Sequence, residues 1–162
     1  MQYQAVFDLS VSGYRTWSFA AFGLIFVTIG LWMVLRPNSE LMVHFVRKRW
    51  FSWVFLAFSL VWTIVSFWST FGEYRELRSA LQAGTATTTT GVVDNFRPKI
   101  SDQRGSAPER FCVKTECFEY SAYVVTNGFN QTRMRDGPVR EGLPVRVTSD
   151  KGKIVKLEVA GE

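Results

Sequence analysis

The chain has 162 residues, which is room for one ordinary domain or for a membrane hairpin followed by one small domain. Its net charge is +5, but residues 85–162 hold 12 Lys and Arg against 10 Asp and Glu, with the two signs interspersed. Such a surface lacks the basic patch that contacts phosphates, so we expect no nucleic-acid partner. All six tryptophans lie in the first 68 residues, and the two halves of the chain are therefore interpreted separately.

Two long segments without charge predict a membrane α-helical hairpin. The first, residues 16–35, has 20 residues, and the second, residues 50–72, has 23. A helix of about 20 residues spans about 30 Å, the thickness of the hydrocarbon core of a bilayer. Buried core helices are the alternative, but a soluble domain of this size is too small to enclose both segments. A cleaved signal peptide is disfavoured for the first segment because the residues before it carry Asp8 and no Lys or Arg.

Small and hydroxylated residues recur at helical spacing in both predicted spans. Such residues let helix backbones approach closely in lipid, where apolar surface provides no reason to associate. We expect the two stripes to face each other, antiparallel, within one chain. An oligomeric interface and a polar transport path are the alternatives, and the absence of ionisable residues within the spans disfavours the path. The residues predicted to pack are Ala20, Gly23, Gly30, Ser59, Thr63 and Ser66.

The loop between the spans predicts their orientation, because short loops rich in Lys and Arg stay in the cytoplasm. The loop has four such residues, against Arg15 before the first span and Arg75 and Arg78 after the second. We therefore expect loop 36–49 in the cytoplasm and the C-terminal domain in the periplasm of a bacterial inner membrane. The topology determinants are Arg36, Arg47, Lys48 and Arg49.

Residues 73–83 continue the second span as a predicted stalk helix. Tyr74, Leu77 and Leu81 recur on one face, and Gly84 supplies a C-terminal stop. This apolar face needs cover, either from the β-domain or from another protein. The predicted organisation is an N-terminal tail, two spans and a stalk in residues 1–84, followed by an extramembrane β-domain in residues 85–162.

About five short strands with Gly-rich connections predict a small all-β, barrel-like domain, with the barrel either closed or partly open. The long connections 97–108 and 121–140 are expected to be its variable, mobile or contacting parts. Within the second connection, Gly128, Phe129 and Asn130 predict a turn with a buried aromatic, and a ligand-contact loop is the alternative. The predicted strands are residues 85–93, 110–113, 116–120, 144–148 and 154–159, with a turn at 149–152.

The order of two spans, a stalk and a β-module resembles uncharacterised small bacterial membrane proteins and the terminal barrels of NfeD-type membrane proteins. The segments that carry the resemblance are residues 118–121, 126–130 and 137–146. The NfeD type usually has more spans than this chain, and no functional residue is carried over from it. The resemblance implies a membrane-anchored accessory or scaffolding role in a bacterial inner membrane.

The residue inventory argues against catalysis. His44 is the only histidine, which excludes Ser-His-Asp catalysis and multi-histidine metal sites within one chain. The carboxylates of the β-domain alternate with Lys and Arg, a pattern typical of a solvated face. We find no nucleotide-binding or EF-hand spacing. We therefore expect no enzyme activity and no catalytic, cofactor-binding or metal site.

Cys112 and Cys117 predict a disulfide across a β-hairpin. The register that pairs them also pairs Phe111 with Phe118, and Arg110 with Glu119. Alternation then directs the aromatic residues toward the core, and the directly opposed cysteines lie close enough to bond. Two reduced thiols in a cytosolic domain are the alternative.

These observations favour a membrane-anchored, non-enzymatic interaction or accessory protein that presents a small periplasmic β-module to another envelope component. Two other hypotheses stay open: a thiol-redox protein that uses Cys112 and Cys117, and an immunity protein that protects against an envelope-directed toxin. Redox catalysts favour a C-x-x-C pair at a helix N-terminus, whereas this pair has four intervening residues in strand-like sequence.

Overall fold

The computed structural model describes residues 2–36, 49–98 and 107–161. Arg47 and Lys48, two of the predicted topology determinants, lie outside this part of the chain, as does His44. The described elements, in chain order, are β1 (Tyr3–Asp8), α1 (Leu9–Ser12), α2 (Trp17–Leu35), α3 (Arg49–Ala83), β2 (Thr87–Arg97), β3 (Glu109–Val113), β4 (Glu116–Tyr120), a 3-10 turn (Arg133–Arg135), β5 (Pro144–Asp150) and β6 (Lys153–Ala160).

The chain divides into two compact units. The helical unit is Thr16–Gly72, and the sheet unit joins Met1–Arg15 to Glu73–Glu162. The N-terminal segment and the last part of α3 thus belong with the sheet, whereas the sequence predicts a division between residues 84 and 85.

Both α2 and α3 are long and apolar enough to cross a membrane. α2 has 19 residues and covers the first predicted span. α3 has 35 residues, so it includes the second predicted span and the predicted stalk in one continuous helix. It ends where predicted: Gly84 has a left-handed φ of 68°, and the N–H of Thr85 donates back to the carbonyl of Ala80 at 3.1 Å.

Within the helical unit, the small residues of α2 lie against α3. A Cβ added to Gly23 would be 2.8 Å from the ring of Trp62 and would also collide with the Thr63 hydroxyl. A Cβ added to Gly30 would be 3.0 Å from the Cα of Leu56. Ala20 is also buried. Close backbone approach at glycine therefore brings α2 and α3 together.

Hydroxyl groups on the predicted stripe of α3 donate hydrogen bonds within α3 itself. Ser59 donates to the carbonyl of Phe55 at 2.8 Å, and Thr63 donates to that of Ser59 at 2.7 Å. Ser59 is buried, while Thr63 and Ser66 are half-buried. Because the Ser59 and Thr63 hydroxyls are each satisfied by the carbonyl four residues earlier, packing rather than polar pairing holds the two helices together at these positions.

The sheet unit contains one antiparallel sheet of six strands in the order β1-β6-β5-β2-β3-β4. A closed barrel, one of the two forms expected from the sequence, is wrong, since the sheet is open, with β1 and β4 at its edges. The five strands expected in residues 85–162 are present as β2–β6, and the sheet has a sixth strand besides. The extra strand is β1, which comes from the N-terminal tail and pairs with β6, with Tyr3 opposite Ala160. The two helices separate these partners in sequence, so no local pattern reveals the pairing.

β2 connects the two halves of the sheet. Its residues Thr87–Val92 pair with β5, and Val93–Arg97 pair with β3, so the strand changes partner in its middle. Gly91 lies at this change, where a Cβ would be 2.9 Å from the Val113 side chain. A glycine here therefore allows the two halves to approach each other closely.

The two predicted hairpins form with the expected pairing. Cys112 lies opposite Cys117, Phe111 opposite Phe118 and Arg110 opposite Glu119, and this register is the one derived from the sequence. The turn after β5 places Lys151 and Gly152 at φ 48° and 76°, as a two-residue hairpin turn requires. The core of the sheet unit is built from these strands, β1 and the end of α3: Phe7, Tyr74, Leu77, Val93, Phe111, Val113, Phe118, Tyr120, Val145, Val147, Val155 and Leu157.

Candidate interaction surface on the β4–β5 loop

The loop between β4 and β5 is packed onto the sheet rather than extended into solvent. Ser121, Asn127, Thr132 and Val139 are all buried. We call residues 121–143 the β4–β5 loop. Its buried polar residues fix its path, so the parts that stay exposed have defined positions.

Phe129 anchors the first half of the loop, as the sequence predicts for a turn with a buried aromatic. Its backbone N–H donates to the carbonyl of Ile154 at 2.9 Å. Its ring lies 5.1 Å from that of Tyr120 and 5.7 Å from that of Phe7. Gly128 permits the approach, since a Cβ there would be 3.2 Å from the same carbonyl of Ile154.

Glu109 anchors the second half of the loop from inside the sheet. Its side chain is fully buried, and both carboxylate oxygens accept the backbone N–H of Arg133 at 3.0 Å. Charged acceptors make stronger hydrogen bonds than neutral ones, and burial increases the cost of losing them. The general expectation of a solvated acidic face is therefore wrong at Glu109.

The burial of Glu109 could be predicted from the alternation of residues along β3. Residues 109, 111 and 113 point to one side of a strand, and Phe111 and Val113 occupy the core. A glutamate in that series predicts a buried carboxylate that needs donors. The donor itself, 24 residues later in an irregular loop, has no sequence signal.

Tyr120 lies opposite Glu109 in the β3–β4 pair. Burial raises the pKa of the Tyr120 hydroxyl, and the nearby Glu109 carboxylate raises it further. The positive charge of Arg140 lowers the pKa of Tyr120, but by less than these two effects raise it. Tyr120 therefore stays neutral in the folded protein well above the pH at which a free tyrosine ionises.

The turn held by Glu109 presents a cationic and apolar surface. Arg133, Met134 and Arg135 are exposed, and Asp136 closes the turn at a left-handed φ of 56°. Met134 is 58% exposed despite its apolar side chain. We call residues 133–135 the basic turn. Arg and Met are both enriched where proteins contact other proteins.

A second exposed part of the loop is apolar. Tyr123, Val124 and Val125 are 61%, 54% and 44% exposed. We call them the YVV segment. Val124 and Val125 line a mostly apolar groove of about 190 Å³, together with Phe129 and Ile154. The apolar surface therefore continues from the segment toward the core.

The end of α3 holds the YVV segment and the β5–β6 hairpin in place. Glu73 accepts a hydrogen bond from the Thr126 hydroxyl at 2.9 Å and forms an ion pair with Lys153 at 2.8 Å. One turn later, Glu76 pairs with Lys151. This pairing lowers the pKa of Glu76 and raises that of Lys151. Three polar contacts, made by five side chains, thus tie the helix to the loop and the hairpin.

The apolar face of the predicted stalk is covered by the sheet unit itself. Tyr74 and Leu77 are buried, and Leu81 packs against the same core. Of the two covers considered from the sequence, the β-domain is therefore the one present.

The structure contains the disulfide between Cys112 and Cys117. Cys112 is buried and Cys117 is exposed. Arg110 and Glu119 form an ion pair beside it at 3.8 Å. The two-residue turn uses Lys114 at a left-handed φ of 57°, which costs a non-glycine residue about 1–2 kcal/mol. A covalent link next to this turn offsets that cost by restricting the unfolded chain.

Two other predicted site residues lie at helix ends. Arg36 follows α2 and is exposed, and Arg49 is the first residue of α3. Among the described residues, no group of His, Cys, Asp and Glu is arranged to hold a metal ion. Comparison of the chain with protein-family models, curated proteins and solved structures finds no match. The resemblance to NfeD-type proteins therefore stays an expectation.

Proposed function

We propose that this chain is a membrane-anchored, non-enzymatic interaction protein. In this account α2 and the first part of α3 cross a bacterial inner membrane as a hairpin. Loop 36–49 is cytoplasmic, and the sheet unit lies in the periplasm, where it contacts another envelope protein. The observation that carries the proposal is the basic turn, which is exposed to solvent and held from beneath by a buried carboxylate.

Membrane anchoring is supported by what the helical unit exposes. Trp68 is 77% exposed, and large apolar side chains are exposed along both helices. A soluble core helix buries such side chains, and soluble proteins rarely expose apolar patches of this extent. In a bilayer the same apolar side chains contact acyl chains, which are also apolar. The further apolar residues exposed on these helices include Phe22, Leu24, Ile25, Phe58, Val61, Ile64 and Val65.

The orientation is supported by two independent features. Arg36, Arg47, Lys48 and Arg49 flank or occupy the short loop, and such loops stay in the cytoplasm. Structural disulfides persist in oxidising compartments such as the periplasm, and the sheet unit contains one. Both features support a periplasmic location for the sheet unit.

The basic turn fits a protein partner with an acidic and apolar surface. Its backbone is fixed by Glu109, so binding there would not require the loop to be ordered at the moment of contact. Preorganisation of this kind increases affinity by reducing the entropy lost on binding. Met134 supplies the apolar contact, and the arginines beside it supply charge complementarity, which sets specificity and association rate.

Site-specific photocrosslinking in intact cells tests this function. A photoreactive phenylalanine analogue replaces Met134, and the matched control places the same analogue at Val92, which is 53% exposed on β2. The proposal expects a discrete crosslinked species from position 134 that position 92 does not give. It also expects Arg135→Glu, placed in the position-134 protein, to remove that species. The same products from both positions, or none from either, would contradict the proposal.

The redox hypothesis is the second candidate, and the exposure of Cys117 is the observation in its favour. A double variant, Cys112→Ser with Cys117→Ser, distinguishes the redox hypothesis from the interaction hypothesis. An interaction protein keeps its position-134 crosslink in the double variant if the sheet unit stays folded. A thiol-redox protein loses its redox activity and leaves its substrates in the wrong oxidation state.

A further inference from the structure

The YVV segment places three exposed side chains, two of them aliphatic and one aromatic, next to a residue that marks the end of a predicted span. Thr126 follows the segment directly and donates its hydroxyl hydrogen to Glu73. Glu73 is the first charged residue after 23 uncharged ones. The segment is therefore tied to the position where α3 passes from apolar to polar sequence.

The other junction between the two units lies on the same side of the sheet unit. Tyr14 packs against Tyr74, with ring centroids 5.7 Å apart, and Arg15 lies 5.6 Å from the ring of Phe7. Phe7 in turn contacts Phe129 in the β4–β5 loop. Residues 14–15 and 73–74 are where the chain leaves the sheet unit for the helical unit. Both junctions are thus linked by packing or hydrogen bonding to the loop that carries the YVV segment.

We infer that the YVV segment lies in the headgroup region of the membrane that α2 and α3 cross, as a third point of lipid contact. This inference rests on the membrane anchoring proposed above. Tyrosine is enriched at this depth because its ring is apolar and its hydroxyl is polar. Val124 and Val125 are then covered by acyl chains instead of water, which favours burial of their apolar surface.

Spin labels report lipid or water around a side chain directly. Single cysteines at Val124, Val65 and Val92 are labelled with a nitroxide in the full chain, purified without reductant so that the native disulfide is kept. The protein is reconstituted in nanodiscs of phosphatidylcholine and phosphatidylglycerol. Power saturation then compares collisions with oxygen, which concentrates in lipid, and with a water-soluble nickel chelate.

Val92 is the matched control, because it is a valine with 53% exposure against 54% for Val124. It lies in β2 beside Gly91, which contacts the tip of the β3–β4 hairpin. Val65 in α3 reports the membrane itself. The inference expects oxygen to dominate at Val124 and Val65 and the nickel chelate to dominate at Val92.

Two outcomes would contradict the account, and they are distinguishable. If Val65 is in lipid but Val124 resembles Val92, the YVV inference is overturned and the anchoring survives. If the nickel chelate reaches Val65 as readily as Val92, the proposed anchoring fails, and the inference fails with it.

Discussion

Glu109 is fully buried in β3, and both of its carboxylate oxygens accept a hydrogen bond from the backbone N–H of Arg133. The contact connects the core of the sheet unit to an exposed turn 24 residues later in the chain. A buried residue in the sheet therefore determines the geometry of a surface that carries Arg133, Met134 and Arg135. Changes at Glu109 should alter both stability and recognition.

Glu109→Gln should destabilise the sheet unit. The amide retains one acceptor oxygen but loses the charge and the two-oxygen contact with Arg133, which should cost about 1–3 kcal/mol in the free energy of unfolding. Thermal unfolding in detergent, followed by circular dichroism, measures the loss. Glu119→Gln is the control, since Glu119 is an exposed member of a surface ion pair and should cost less than about 1 kcal/mol. Equal losses of unfolding free energy in the two variants would show that the Glu109 contact contributes no more to stability than an exposed ion pair does.

Tyr120 should make the protein less stable at alkaline pH. Burial and the Glu109 carboxylate raise the pKa of Tyr120 in the folded state, whereas in the unfolded chain it ionises near its ordinary value of about 10. Above that pH the unfolded state binds fewer protons than the folded state, so the free energy of unfolding falls as the pH rises.

Tyr120→Phe should therefore flatten the decline of the melting temperature above pH 10. Tyr123→Phe, at an exposed position, is the control and should leave the slope as it is. Parallel slopes for the wild type and Tyr120→Phe would remove Tyr120 as the source of the decline.

Gly23→Leu should disturb the helical unit. The added side chain begins with a Cβ 2.8 Å from the Trp62 ring, so the helices must separate, at a cost of about 1–3 kcal/mol. Ser66→Leu tests the predicted stripe on α3 in the same way. Leu60→Val, at an exposed position, should have little effect on expression or thermal stability in detergent. Equal tolerance at all three positions would refute the packing account.

The elements that could be predicted from the sequence are those with short-range constraints. The β3–β4 register follows because three pairs, at positions 110–119, 111–118 and 112–117, require the same alignment. The end of α3 at Gly84 and the β5–β6 turn follow from local backbone chemistry. In each case the partners lie within a few residues of each other, so alternation and turn preference define the geometry.

The missed features depend on contacts between distant residues. In β1, Tyr3 pairs with Ala160, more than 150 residues later in the chain, and both helices lie between them in sequence. The pairing of β1 and β4 with single neighbours, which leaves the sheet open, has no local signature either. The fixed path of the β4–β5 loop depends on Glu73 and Glu109, which lie 53 and 24 residues from their partners.

Thiol labelling in intact cells tests the central claim, which is that a disulfide-linked sheet unit lies outside the cytoplasm on a membrane anchor. Cells are treated with a maleimide that does not cross the inner membrane, with and without prior reduction, and labelling of Cys112 and Cys117 is compared. These are the only two cysteines in the chain, so no background thiol interferes. The account predicts labelling in intact cells only after reduction. Thiols that react without reduction, and only once the membrane is permeabilised, would place the sheet unit in the cytosol and contradict the claim.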